Sequence, residues 1–166
     1  QSDLDNSNLT YTPPTDQNGA GFTSLTFSVR DDRGAFDTAP NTLTIDVDPV
    51  NDAPSASPSQ DFTVDEDDGA QTAANFMKSL DSGGGSDESG QTISFSVSDI
   101  SDGTSFTAAE LFDTQPGFTD SDGSDNTLAF TPSQILANGE TETVTVTVDV
   151  TDDGGTANGG DDTGTD

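Results

Sequence analysis

Asp48-Pro49-Val50-Asn51-Asp52-Ala53-Pro54 divides this sequence in two. The stretch that runs into it, Thr42 to Val47, alternates β-branched and polar residues, which is the period of two of a half-buried strand. Pro49 and Pro54 hold φ at about −65° on either side of Val50-Asn51-Asp52, and alternating segments resume beyond them. The stretch reads as a short stiff joint between two β-domains. Asp48, Asn51 and Asp52 bring side-chain oxygens of the kind that a hard cation such as Ca²⁺ takes from carboxylates and amides. A polar linker of chance acidity is the alternative.

Working outward, Thr23 to Arg30 puts Leu25, Phe27 and Val29 on one face, Asp31-Asp32-Arg33-Gly34 turns the chain, and Leu43, Ile45 and Val47 alternate again before the joint. Leu9 to Thr12 alternates as well, and Gln1 to Asn8 is polar loop. Beyond the joint the expectation is a short strand at Phe62-Thr63-Val64, an acidic run at Asp65 to Asp68, and a strand then a loop over Ala70 to Leu80, with a helical turn as the alternative there. Asp81 to Gly90 is a Gly/Ser/acidic loop. Ile93, Phe95 and Val97 mark a strand from Gln91 to Ser98, and Phe106 to Phe112 fits either a strand or a short helix. Strands follow at Thr127 to Thr131 and at Thr143 to Val150. Between them Ser133 to Gly139 reads as one helical turn, with Ser133 as its N-cap and Gly139 as its stop.

The chain also resembles itself. Leu9-Thr10-Tyr11-Thr12-Pro13 matches Leu128-Ala129-Phe130-Thr131-Pro132, 119 positions on, and Asp31-Asp32 in its acidic turn matches Asp152-Asp153, 121 positions on. A repeat of about 120 residues is the signature of a tandem array. The expectation is of the last strands of one repeat in residues 1–53 and most of a second in 54–166, the second stopping where the counterpart of Leu43 to Val47 is due. On that expectation the chain is a segment of a longer array, or neighbouring copies supply each other's strands.

Composition narrows the function. Three Lys+Arg stand against 32 Asp+Glu, a formal net charge of −29, and only 28% of residues are hydrophobic. Such a chain gains from divalent ions that neutralise it, or from salt that screens it. Nucleic acid and anionic membranes need clustered Lys and Arg and are excluded as partners. No run of apolar residues is long enough to span a membrane as a helix, so no membrane insertion is expected. With neither His nor Cys, the usual nucleophile and base pairs cannot be built, and a metal site must be made of oxygen ligands. A two-carboxylate glycosidase needs only Asp or Glu, but with no Trp and a single Tyr there is no aromatic platform for a sugar. The chain reads as no enzyme. Asp120 to Asn126 has the acidity of a calcium loop without the glycine and glutamate spacing of an EF-hand, and reads as a hairpin loop. Asp161-Asp162 reads as soluble loop.

Tyr11-Thr12-Pro13, Phe27 to Gly34, the closing Val47 to Pro54, and Leu136 to Thr143 followed by Asp152-Asp153-Gly154-Gly155 together resemble the cadherin-like or immunoglobulin-like repeats of giant bacterial surface proteins, including the VCBS-type repeats of RTX adhesins. The resemblance implies an all-β chain of Ig/cadherin-like seven-stranded β-sandwiches in tandem, with Ca²⁺ between domains. By motif it implies metal ligands at Asn51 and Asp52, with Asp48 just upstream, and at Asp152 and Asp153 in the turn after the penultimate strand. Asp87, beside Glu88, occupies the place of an Asp-x-Asp pair; here the spacing departs from that pattern. Asp31 and Asp32 take the place of Asp152 and Asp153 toward the preceding joint, and Asp65 and Glu66 resemble the acidic pair facing the joint that follows. An Asp-Arg-Glu motif usual before the penultimate strand has no counterpart, because Ser133 to Gly139 stands there.

The function expected is a non-catalytic repeat in the Ca²⁺-rigidified stalk of a secreted or surface-anchored bacterial adhesin, which spaces or presents an adhesive region. Its partners would be neighbouring repeats or copies of the same chain, and through another part of the protein a cell-surface glycan or protein. The alternatives are a filament subunit joined by strand complementation and a Ca²⁺-dependent glycan-binding module.

Overall fold

Leu25 and Leu43 stand opposite each other across an antiparallel pair of strands, β1 (Gly19–Phe27) and β2 (Asn41–Val47), as their shared alternation requires. The computed structural model describes residues 9–137 and 140–165. The chain is mostly β-strand with little helix, and it divides into two compact units, Gln1–Val50 and Asn51–Asp166.

In the first unit the β1–β2 hairpin carries Leu25, Phe27, Leu43 and Ile45 on one face, since Thr23 pairs with Ile45, Leu25 with Leu43 and Phe27 with Asn41. The register shifts between Gly19 and Thr23, where the backbone N–H of Gly21 donates to Asp46 Oδ1 at 2.5 Å. Between the strands Arg30 bridges Phe36 and its guanidinium lies 5.9 Å from the ring centroid, a cation–π contact. Leu9 to Thr12 forms no strand. Its counterpart Leu128 to Pro132 is paired on both sides, whereas among the described residues of the first unit β1 and β2 pair only with each other. Alternation without a neighbour makes no ladder.

The second unit contains β3 (Ser55–Pro58), β4 (Gln71–Ala74), β5 (Met77–Asp81), β6 (Ser94–Ile100), a one-turn helix α1 (Ala108–Leu111), β7 (Phe112–Asp120), β8 (Thr127–Pro132), β9 (Val146–Thr151) and β10 (Thr163–Thr165). These strands form two three-stranded sheets, β10-β9-β6 and β4-β8-β7, and a β3-β5 pair, all antiparallel. Ala56, Phe76, Met77, Ile93, Phe95, Leu128, Val148 and Val150 from all three meet in one core. The expected strand at Phe62 to Val64 is absent; instead the Phe62 ring plugs the core, with centroids 5.7 Å from Phe76 and 5.2 Å from Phe130. Phe106 to Phe112 resolves into α1 and the start of β7. Residues 134 and 135 form a turn rather than a helix; Asn138 and Gly139, the expected end of that turn, and Gln1 to Asn8 lie outside the described residues.

One buried polar side chain fixes how β5 meets the hairpin turn between β7 and β8. Asn126 is wholly inaccessible to solvent. Its Oδ1 accepts from the Met77 N–H at 2.7 Å, and its Nδ2 donates to the carbonyls of Met77 at 3.2 Å and Gly123 at 2.7 Å. The amide thus pairs with Met77 as a strand would, and all of its geometry is satisfied inside the core.

Candidate metal centre

The chain enters the second unit at Asn51, and two loops distant in sequence close on that residue. Nδ2 of Asn51 donates to Asp152 Oδ1 at 3.0 Å and to the Asp161 carbonyl at 2.7 Å. Its Oδ1 accepts from Gln91 Nε2 at 2.6 Å, and its carbonyl accepts from the Asp161 N–H at 2.9 Å. The site is assembled from the joint, the start of the segment leading into β6, and both ends of the Gly-rich loop between β9 and β10. Glycine at 154 is a requirement of this closure: a Cβ there would collide with the side-chain amides of Asn51 and Gln91.

Beside it sits the loop of residues 82–90. Two consecutive turns, Glu88 N–H to the Gly85 carbonyl at 3.2 Å and Gln91 N–H to the Glu88 carbonyl at 2.9 Å, rotate Glu88 inward to 3% exposure and leave Asp87 exposed. Glu88 Oε1 accepts from the Asp52 N–H at 2.9 Å and Oε2 from the Gly84 N–H at 2.5 Å. Ser82 Oγ anchors the Glu88 carbonyl at 3.0 Å. A Cβ on residue 84 would lie 2.5 Å from Glu88 Oε2 and 2.9 Å from Asp52 Oδ2, so the glycine lets two carboxylates and the backbone crowd together.

Two oxygens at this end are buried without a hydrogen-bond partner, Asp152 Oδ2 and Gln91 Oε1. Asp152 Oδ1 is engaged by both Asn51 and the Gly154 N–H, which orients the carboxylate and leaves its second oxygen unused. A buried acceptor left alone costs about 1–3 kcal/mol, more when charged. A hard cation satisfies such oxygens and reverses the repulsion between gathered carboxylates, about 4 kcal/mol for a pair about 4 Å apart at an effective dielectric of about 20. The donor set therefore fits Ca²⁺ in kind. Among the described residues no three Asp or Glu side chains are grouped closely enough to hold an ion by themselves, so amide, backbone or water oxygens would complete its shell.

The remaining residues expected as ligands fall in three places. Asp153 lies next to Asp152, with Oδ1 accepting from the Thr92 N–H at 2.9 Å. Asp65 and Glu66 lie in the loop between β3 and β4. There Asp65 N–H donates to Asp68 Oδ2 at 2.8 Å, Gln134 Nε2 donates to Asp67 Oδ1 at 2.8 Å, and Glu66 Oε2 is a third buried oxygen without a partner. Asp31, Asp32 and Asp48 belong to the first unit and are exposed; Asp31 Oδ1 accepts from the N–H groups of Arg33 at 2.9 Å and Ala35 at 2.8 Å. That pattern parallels Asp152 over Gly154, its counterpart in the repeat. Glu88, Gln91 and Asp161 are the participants that sequence reasoning did not assign as ligands. For Glu88 and Asp161 the signal is the run of glycines just ahead of each, Gly83 to Gly85 and Gly159-Gly160, which marks where backbone and side chains approach closely; Gln91 has no such signal.

Comparison with protein-family models, with curated proteins and with solved structures finds no match to this chain.

Proposed function

We propose that this chain is a non-catalytic structural repeat, a tandem array of Ig/cadherin-like β-sandwiches stiffened by Ca²⁺ in an extracellular stalk that spaces or presents an adhesive region on a bacterial surface. The observation that carries it is Asp152 Oδ2, buried and unpartnered beside the residue through which the joint enters the second unit. The internal repeat and the net charge of −29 support the same reading, since a chain so acidic folds more readily where divalent ions are abundant.

Calorimetry and far-UV circular dichroism across a calcium titration test it. A site of the extracellular kind binds at about 10⁻⁴ to 10⁻³ M, so about 10 mM Ca²⁺ should stabilise the second unit by roughly 1.4–2.7 kcal/mol through mass action. Asp152→Asn should remove most of that gain. A melting temperature that ignores calcium in the unsubstituted chain would overturn the proposal.

A further inference from the structure

We infer that the apolar face of the β1–β2 hairpin is a docking surface for a β-layer of the same build as residues 54–119 of the second unit. The internal repeat supplies the comparison. Leu128, Phe130, Val148 and Val150 of the second unit are 3%, 6%, 4% and 1% exposed, whereas their counterparts Leu9, Tyr11, Phe27 and Val29 are 58%, 45%, 46% and 58% exposed. Leu25 and Leu43, opposite one another on the hairpin, are 40% and 51% exposed.

The same pattern of residues is core in one unit and surface in the other, and the difference is what covers it. In the second unit Ala56, Phe62, Phe76 and Met77 pack on these side chains in one core, and neighbouring strands flank them, with Phe95 opposite Val150 and Phe118 opposite Leu128. The hairpin's own part of this set, Leu25, Phe27 and Leu43, is an exposed apolar face of the kind that marks an interaction site, and a two-stranded hairpin without a covering layer is marginally stable in water. Charge points the same way. Residues 1–50 carry eight acidic side chains against two of the chain's three basic ones, Arg30 and Arg33, so the first unit repels an acidic partner far less than the second does. This inference rests on the internal repeat and is independent of calcium.

The test extends the full chain by a second copy of residues 54–119 placed ahead of Gln1, the junction set by the 119-residue offset, and compares it with the same extension carrying Phe76→Asp and Phe95→Asp in the added copy. The intact extension should slow amide exchange at Leu25, Phe27 and Leu43 at least tenfold and abolish binding of an apolar dye, and the disrupted one should do neither. Unchanged exchange with the intact extension would overturn the inference. So would the unextended chain protecting those amides as strongly as Val148 and Val150. A concentration-dependent dimer dispersed by Leu43→Asp would overturn it too, by making a second copy the occupant.

Discussion

Asn51 and Asp152, 101 positions apart, meet side chain to side chain at 3.0 Å. That contact ties the entry of the second unit to the turn after β9, and its strength is open to measurement. Asn51→Asp keeps the shape, deletes the donors to Asp152 and to the Asp161 carbonyl, and sets two carboxylates against each other. In the absence of divalent ions it should lower the stability of the second unit by about 2–4 kcal/mol, read from urea unfolding at unchanged slope. A loss below about 0.5 kcal/mol, the range of a neutral surface substitution, would mean the contact is not formed in solution.

Glu88 holds two backbone N–H groups, those of Asp52 and Gly84. Glu88→Gln can satisfy only one of them, because its amide nitrogen faces the other donor. The expected cost is about 1–3 kcal/mol, with amide exchange quickening at Asp52 and Gly84 first.

Asn126→Ala removes a wholly buried amide that satisfies both the N–H and the carbonyl of Met77, and should destabilise by about 2–4 kcal/mol. Phe95→Ala, 4% exposed, should cost about 3–5 kcal/mol. Phe27→Ala in the uncovered hairpin should cost less than about 1 kcal/mol in the unextended chain. Equal effects of the two phenylalanine substitutions would contradict the contrast in burial.

Acid should release the cap of α1. Glu110 Oε2 accepts from the Thr107 backbone N–H at 2.9 Å and from its hydroxyl at 2.8 Å, and these bonds, the backbone one first, hold the Glu110 carboxyl below its ordinary value of 4.5. A carboxylate whose folded value is depressed stabilises the fold above its unfolded value and loses that contribution as pH falls through the folded value. The Thr107 amide should therefore be protected at neutral pH and lose protection only as the pH falls below the ordinary carboxylate value, in a titration followed by NMR, with Glu110→Gln flattening the curve.

The strands with strict alternation were legible in the sequence: Leu43 to Val47, Ile93 to Val97 and Leu128 to Phe130 all lie at the strands or at their margins, whereas the strand expected over Thr143 to Val150 begins only at Val146. Phe62 was not, because an isolated aromatic can fill a core from a loop as well as from a strand, and only its distances to Phe76 and Phe130 decide. At the candidate site the joint residues Asn51 and Asp52 and the turn residue Asp152 could be named in advance. Which of Asp87 and Glu88 turns inward could not, since two adjacent carboxylates differ only in where the turns at Gly85 and Glu88 point them. Gln91 was invisible for a related reason: its part is fixed by the Asn51 amide, a partner 40 positions away.

Where the chain passes from Asn51 into β3, the side chain and carbonyl of that one residue are fastened to residues 91, 152 and 161. Tension applied at the amino end of the second unit is thus spread over loops from its middle and its far end before any strand feels it. Detaching the chain at this point requires the bonds of Asn51 to Gln91, Asp152 and Asp161 to break together.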